Sequence, residues 1–158
     1  MQLWLLRHAD AVSTAALDDA RPLSEKGIQQ ARRVARFCKE RGLQPSLILS
    51  SPFLRTEQTA RTVAQALHAE LISCAFLASG MLPEAAMEEL RAYRRFETLL
   101  LVGHEPDLSA LAGALLGTGK RGALRMRKAA LAGLDIGSLT PGGARLDFLI
   151  PAKLMGKE

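Results

Sequence analysis

The 158-residue chain has little of several things, and each shortage excludes something. It contains no apolar run approaching the roughly 20 residues that a bilayer-spanning helix requires. Cysteine occurs only at Cys38 and Cys74. The two form no CxxC pair and show no metal-ligand spacing, so they read as small core residues, and a closed Cys/His metal site is not expected. Histidine is equally scarce, at His8, His68 and His104, and His68 falls among polar residues late in a helical stretch, where it reads as a surface residue. Aromatics make up 4% of the chain. The core must therefore be built from Leu, Ala, Val and Ile, and a nucleic-acid surface of interleaved basic and aromatic side chains is disfavoured. With no linker, internal repeat or low-complexity stretch, residues 1–158 read as one domain.

The N-terminal segment from Met1 to His8 is apolar but short. It has no basic n-region and soon meets Asp10, which is the pattern of a buried strand and not of a signal peptide. A cytoplasmic location, with no membrane association, is the expectation by default.

Hydrophobic residues make up 48% and charged residues 23% of the chain, the balance of a globular protein. The net charge of +5 favours an anionic ligand or partner without naming one. Basic residues gather in a stripe, Arg32, Arg33, Arg36, Lys39 and Arg41, and in a cluster, Lys120, Arg121, Arg125, Arg127 and Lys128. Each of these reads first as a solvated face.

Residues 2–7 read as a buried strand and 9–22 as a loop. Ser24 is placed as an N-cap, with Leu23 and Ile28 as a hydrophobic staple, and Ile28, Ala31, Ala35 and Cys38 recur at helical spacing up to Gly42. Leu47-Ile48-Leu49 is a second strand, followed by Ser51 as N-cap and Pro52 at the first helical position. Leu71-Ile72 is a weak third strand, and Pro83 opens a helix to about Tyr93. Thr98 to Val102 is the clearest buried strand, and Leu108, Leu111, Ala112 and Leu115 mark the helix after it. Beyond Gly117 the pattern is one of strands and turns, with 145–150 alternating as an edge strand. Strands alternating with helices predict an α/β fold: a mostly parallel sheet with helices on both faces and short C-terminal strands at its edge.

Ligands in such sheets bind at the carboxyl ends of the strands. The first strand ends in Arg7-His8. Arg55 follows the second in the first turns of a helix, and the third runs into Gly103-His104. Two arginines and two histidines thus converge where helix N-termini also favour anions. A neutral imidazole can attack phosphorus and carry the phosphoryl group covalently. Arginine offers a planar fork for two phosphate oxygens, and a second histidine, if protonated, adds a donor. Phosphoryl transfer needs chiefly positioning and charge stabilisation. No metal or other cofactor is required if these side chains supply the positive charge.

Leu6-Arg7-His8-Ala9-Asp10 resembles the Arg-His-Gly signature of the histidine phosphatase superfamily. Arg21-Pro22-Leu23-Ser24 with Gly27, Ser50-Ser51-Pro52 with Arg55 and Gln58-Thr59-Ala60, and Val102-Gly103-His104-Glu105-Pro106 resemble further segments of it, along nearly the whole chain. The short length and the Arg-Pro-Leu segment resemble the SixA-like phosphohistidine phosphatases. The resemblance implies a phosphoglycerate-mutase-like fold, His8 as nucleophile, and Arg7, Arg55 and His104 as phosphoryl ligands. Arg21 would be an anion contact at the pocket mouth or a surface salt bridge, and Asp18 an acid or a substrate contact. Two departures stand out. Ala9 replaces the signature glycine, and 70–97 leaves no room for a large insertion carrying a proton donor, although Glu84, Glu88 and Glu89 are present. The implied substrate is phosphohistidine on a signalling or phosphorelay protein. The alternatives are a small phosphorylated molecule or a non-catalytic phosphate-binding module, and a mutase is disfavoured because the substrate-enclosing insertions are missing.

Overall fold

The computed structural model describes residues 1–119 and 122–156. Lys120 and Arg121 of the basic cluster lie outside the described residues. Six strands form one sheet: β1 (Gln2–Arg7), β2 (Leu47–Ser50), β3 (Leu71–Ser73), β4 (Thr98–Gly103), β5 (Leu131–Ile136) and β6 (Ala144–Ile150). Their order is β3-β2-β4-β1-β5-β6. The pairings from β3 to β1 are parallel, whereas β5 and β6 add antiparallel ladders. The helices are α1 (Glu25–Glu40), α2 (Leu54–Leu67), α3 (Pro83–Leu90) and α4 (Asp107–Leu116). No described helix is long and apolar enough to cross a membrane.

Strand alternation divides the core into two layers. Leu3, Leu5, Leu47, Leu49, Leu99 and Leu101 face one way and pack with Met87 and Leu90 of α3 and with Leu108, Leu111 and Leu115 of α4. Trp4, Leu6, Ile48, Leu100 and Val102 face the other way, against Ala31, Val34 and Ala35 of α1 and Val63 and Leu67 of α2. Helices therefore cover both faces, and the central strands β2 and β4 are buried throughout, as parallel strands must be. Cys38 and Cys74 are buried free thiols, and burial pushes Cys38 up to about 12.

Two local expectations need correction. Ile28 is 41% exposed and does not lie on the buried stripe of α1. Gly27 takes that place, because the first turn of α1 lies so close to Asp10 that a Cβ on Gly27 would stand 1.8 Å from the Asp10 carbonyl oxygen. Ser24 does cap this helix, accepting from the Gly27 N–H at 3.1 Å. Ser51 does not cap α2. The chain bends at Pro52 and Phe53, and Phe53, with extended backbone angles, is the N-cap residue, so helical structure starts at Leu54. This leaves the Ser51 hydroxyl free for another use.

Candidate active site

Because β4 lies between β1 and β2, three neighbouring strands end side by side. Arg7 pairs in register with Gly103, and Ser50 with Val102. The next residue of each strand, His8, His104 and Ser51, thus enters the same space. The His8 N–H donates to Gly103 O at 3.0 Å and the Ser51 N–H to Val102 O at 3.0 Å, which continues the ladders one step past the strands. The His8 and His104 rings are 5.4 Å apart, centre to centre.

The His8 tautomer follows from its contacts. Nδ1 lies 2.8 Å from the Ala9 carbonyl oxygen, which can only accept, so Nδ1 carries the proton. That leaves the lone pair on Nε2, toward which Arg55 Nε donates at 3.4 Å. Burial pushes His8 down to about 4; the Ala9 carbonyl opposes this, and the charges of Arg55, Arg7 and Lys128 add to it. The ring is neutral and nucleophilic at neutral pH. Ala9 holds its own place through an N–H bond to Thr59 Oγ1 at 3.1 Å, and that hydroxyl donates to Arg55 O at 2.7 Å. Ala9 has no positive φ, so the alanine sits without backbone strain.

Arg55 is 4% exposed. Its Nη2 reaches His104 Nδ1 at 3.4 Å, and its guanidinium lies 5.1 Å from the centre of the Phe53 ring. Since Nδ1 of His104 accepts from an arginine, Nε2 carries the proton and donates to Ser51 Oγ at 2.8 Å. The same oxygen accepts the Phe53 N–H at 3.2 Å. Burial first, then the neighbouring His8 and Arg55, hold His104 down to about 3, with Asp18 opposing them. The second histidine is therefore neutral, not a cation, because it is buried beside two other basic groups. Arg7 donates through Nη1 to Met126 O at 3.0 Å, and its Nε is buried with no partner among the described residues.

A pocket of about 180 Å³ opens over these groups, walled by Arg7, His8, Arg55 and His104 together with Arg21, Lys128, Glu105, Ser79 and Ala11. Its one acidic wall, Glu105, has both oxygens engaged by Ser109, at 2.9 Å from N and 2.5 Å from Oγ. Glu84, Glu88 and Glu89 lie exposed on α3, away from the pocket lining. Asp18 stands at the mouth. Its backbone oxygen and Oδ2 accept from Arg55 Nη1 at 2.8 Å and Nη2 at 3.3 Å, and its Oδ1 accepts from Arg21 Nε at 2.9 Å. Slight desolvation works to raise the Asp18 pKa, but the Arg55 and Arg21 cations outweigh it and hold the group below the ordinary carboxylate range. Arg21 thus does both things open to it: it lines the pocket and forms a surface salt bridge. His68 lies exposed at the end of α2, away from the pocket. Among the described residues no three His, Cys, Asp or Glu side chains form a group able to hold a metal.

The histidine phosphatase superfamily (branch 1) model matches residues 3–78. An uncharacterized protein of Picosynechococcus sp. is 35% identical over 146 residues, 87% of each chain. The phosphohistidine phosphatase SixA of Escherichia coli is 40% identical over 68 residues, 43% of this chain and 42% of that one. The chain belongs to the histidine phosphatase superfamily, in its SixA-like branch. A solved structure of the protein histidine phosphatase SixA with tungstate superposes at a TM-score of 0.88, with 24% identity, over 99% of this chain and 100% of the other. The superfamily fold is not confined to one substrate: an alpha-ribazole phosphatase from Shigella flexneri superposes at 0.80, with 19% identity, over 96% and 97% of the two chains. As a histidine phosphatase superfamily hydrolase, the chain acts on phosphorylated substrates.

Sequence reasoning missed Ser51 as a partner of His104, because a serine before a proline fits the grammar of a helix cap equally well. It also missed Gln58 and Gln30 as loop anchors. Gln58 Oε1 accepts from Leu23 N and Gln30 Oε1 from Asp10 N, each at 2.8 Å. The Gln58-Thr59 pair inside a recognised motif was the available signal.

Proposed function

We propose that this protein removes phosphate from phosphohistidine on a protein, with His8 Nε2 as nucleophile and no metal ion. The observation that carries the reading is the tautomer lock on His8. The proton is fixed at Nδ1 by a carbonyl 2.8 Å away, and Nε2 faces the pocket beside Arg55.

In the first step Nε2 forms a bond to phosphorus while the bond from phosphorus to the substrate imidazole breaks, and the leaving nitrogen takes up a proton from water. In the second step water attacks the phosphohistidine. A phosphorus–oxygen bond forms, the bond to Nε2 breaks, inorganic phosphate leaves, and the proton of the attacking water passes to solvent. Arg7 and Arg55 hold the phosphoryl oxygens and stabilise the charge spread over them in the transition state. His104 lies within reach of the same oxygens. A bound dianion favours its protonated form, opposing the effect of the neighbouring basic groups. Arg21 screens the mouth. Asp18 is a competing anion on Arg55 that an incoming phosphoryl group displaces, and not the acid of the reaction.

Among the described residues no carboxyl group lines the pocket except Glu105, which Ser109 engages, and this supports the choice of substrate. A protonated or readily protonated imidazole leaves without a dedicated donor, whereas an alkoxide needs one. The small-molecule alternative is supported by fold alone, which is shared with an alpha-ribazole phosphatase and with a phosphoserine phosphatase of Entamoeba histolytica. The test is phosphate release from a phosphohistidine-bearing protein and from a panel of phosphate esters, with wild type and His8→Ala side by side. The reading requires fast, His8-dependent release from phosphohistidine and slow release from esters. The reverse order of rates overturns the substrate choice, and retained turnover in His8→Ala removes the nucleophile.

A further inference from the structure

Beside the catalytic pocket lies a second, larger cleft of about 790 Å³, which shares Arg7, Lys128 and Glu105 with it as a common wall. Five further cations line the cleft from segments far apart in the chain: Lys26 and Arg33 of α1, Arg125 and Arg127 before β5, and Lys153 after β6. Among the described residues its only acidic lining group is Glu105, whose oxygens are already held by Ser109. Arg33 Nε is buried and, like Arg7 Nε, has no hydrogen-bond partner among the described residues. Under the cationic rim the floor is apolar, formed by Met126, Pro151 and Ala152.

The pocket of about 180 Å³ suffices for a phosphoryl group and the ring that leaves it. The adjoining cleft is several times larger than any remainder of that ring. Four of its lining side chains are arginines, whose forks pair with carboxylates in two-point contacts. Arginine over an apolar floor is also the composition of a protein-binding surface. A bare polyphosphate chain would use the cations but leave that floor uncovered.

We propose that the cleft docks an acidic polypeptide segment of the substrate protein, one that flanks the phosphorylated residue and lays its carboxylates on Arg33, Arg125, Arg127 and Lys153. The proposal rests on the phosphohistidine-protein reading for what enters the catalytic pocket. The affinity of the cleft for carboxylates can be measured without it.

The first experiment titrates fluorescein-labelled decaglutamate against the wild-type protein and an Arg127→Glu/Lys153→Glu double variant, followed by fluorescence anisotropy. Both substituted residues are exposed, and circular dichroism checks that the variant is folded. The wild type binds, the affinity fades with rising salt, and the double variant binds on the order of tenfold more weakly or worse. Failure of the wild type to bind, including the case in which inorganic polyphosphate binds in its place, overturns the proposal, as does equal binding by the double variant. The second arm compares phosphohistidine peptides flanked by glutamates or by serines. The glutamate peptide has the lower KM with wild type, the advantage disappears in the double variant, and hydrolysis of para-nitrophenyl phosphate serves as the control for an intact pocket. Equal KM values for the two peptides contradict the docking role. If neither peptide is hydrolysed, the phosphohistidine reading fails while the anisotropy result still decides the cleft.

Discussion

The floor and the mouth of the catalytic pocket are built differently. On the floor, His8, Ser51, Arg55 and His104 are all buried, and they contact one another from strand ends and the first turn of α2. At the mouth, the Asp18, Arg21 and Lys128 side chains are 63%, 26% and 44% exposed. The floor groups are held by one another and by backbone that cannot move without unpacking the sheet, with Arg55 also reaching out to Asp18 at the mouth. The mouth groups meet in salt bridges that water screens. Chemistry should therefore depend on the floor and selection of the substrate on the mouth and the cleft beyond it.

Substitutions on the two sides test that division. Arg55→Ala removes a buried guanidinium that contacts both histidines. It should cost on the order of 10²-fold or more in kcat, as loss of one preorganised donor does, and a steady-state assay would show it. A change confined to KM would place Arg55 with the mouth. Ser51→Ala deprives His104 Nε2 of its acceptor and leaves a buried donor unsatisfied, which costs about 1–3 kcal/mol of stability. Chemical denaturation measures that loss, and kcat falls with it because His104 is no longer oriented; an unchanged midpoint would contradict the assignment.

The acid behaviour of the floor gives a third test. His8 and His104 titrate at about 4 and about 3, below the ordinary histidine value of 6.5. Between 6.5 and about 4 the unfolded chain binds protons on these rings that the folded chain refuses. Stability therefore rises with pH through that window and is lost as pH falls. An NMR titration of the ring C–H signals should find both midpoints far below 6.5, and a midpoint at that value for either ring would show it to be solvated. The smallest effect belongs to the mouth. Asp18→Asn removes the anion that competes for Arg55, so KM for a small phosphate ester should fall by about two- to threefold with little change in kcat. A large loss of kcat would instead make Asp18 part of the chemistry.

Much of the floor is legible in the sequence, because the residues involved follow directly on strands that the apolar pattern marks. Leu3 to Leu6 ends in Arg7-His8, Leu99 to Val102 ends in Gly103-His104, and the sheet topology places these two strand ends, far apart in the chain, side by side in space. What the pattern hid was contact between distant segments. Periodicity puts Ile28 on the buried stripe of α1, but only the approach of α1 to the Asp10 backbone shows why Gly27 must be there. Capping rules assign Ser51 to α2, but the hydroxyl is taken by His104, 53 residues away. The cationic cleft needs α1, residues 125–128 and the stretch after β6 together, and each of its parts read alone is an ordinary solvated face.

In the proposed reaction the phosphoryl group passes through Nε2 of His8. Rapid quenching of the enzyme during turnover of a phosphorylated substrate, followed by mass spectrometry of the digest and ³¹P NMR of the modified histidine, tests it most directly. An acid-labile phosphoryl group on His8, bonded to Nε2, is the predicted result. Phosphate found on Nδ1 or on another residue, or turnover with no trapped phosphoenzyme under conditions that preserve phosphohistidine, would contradict it.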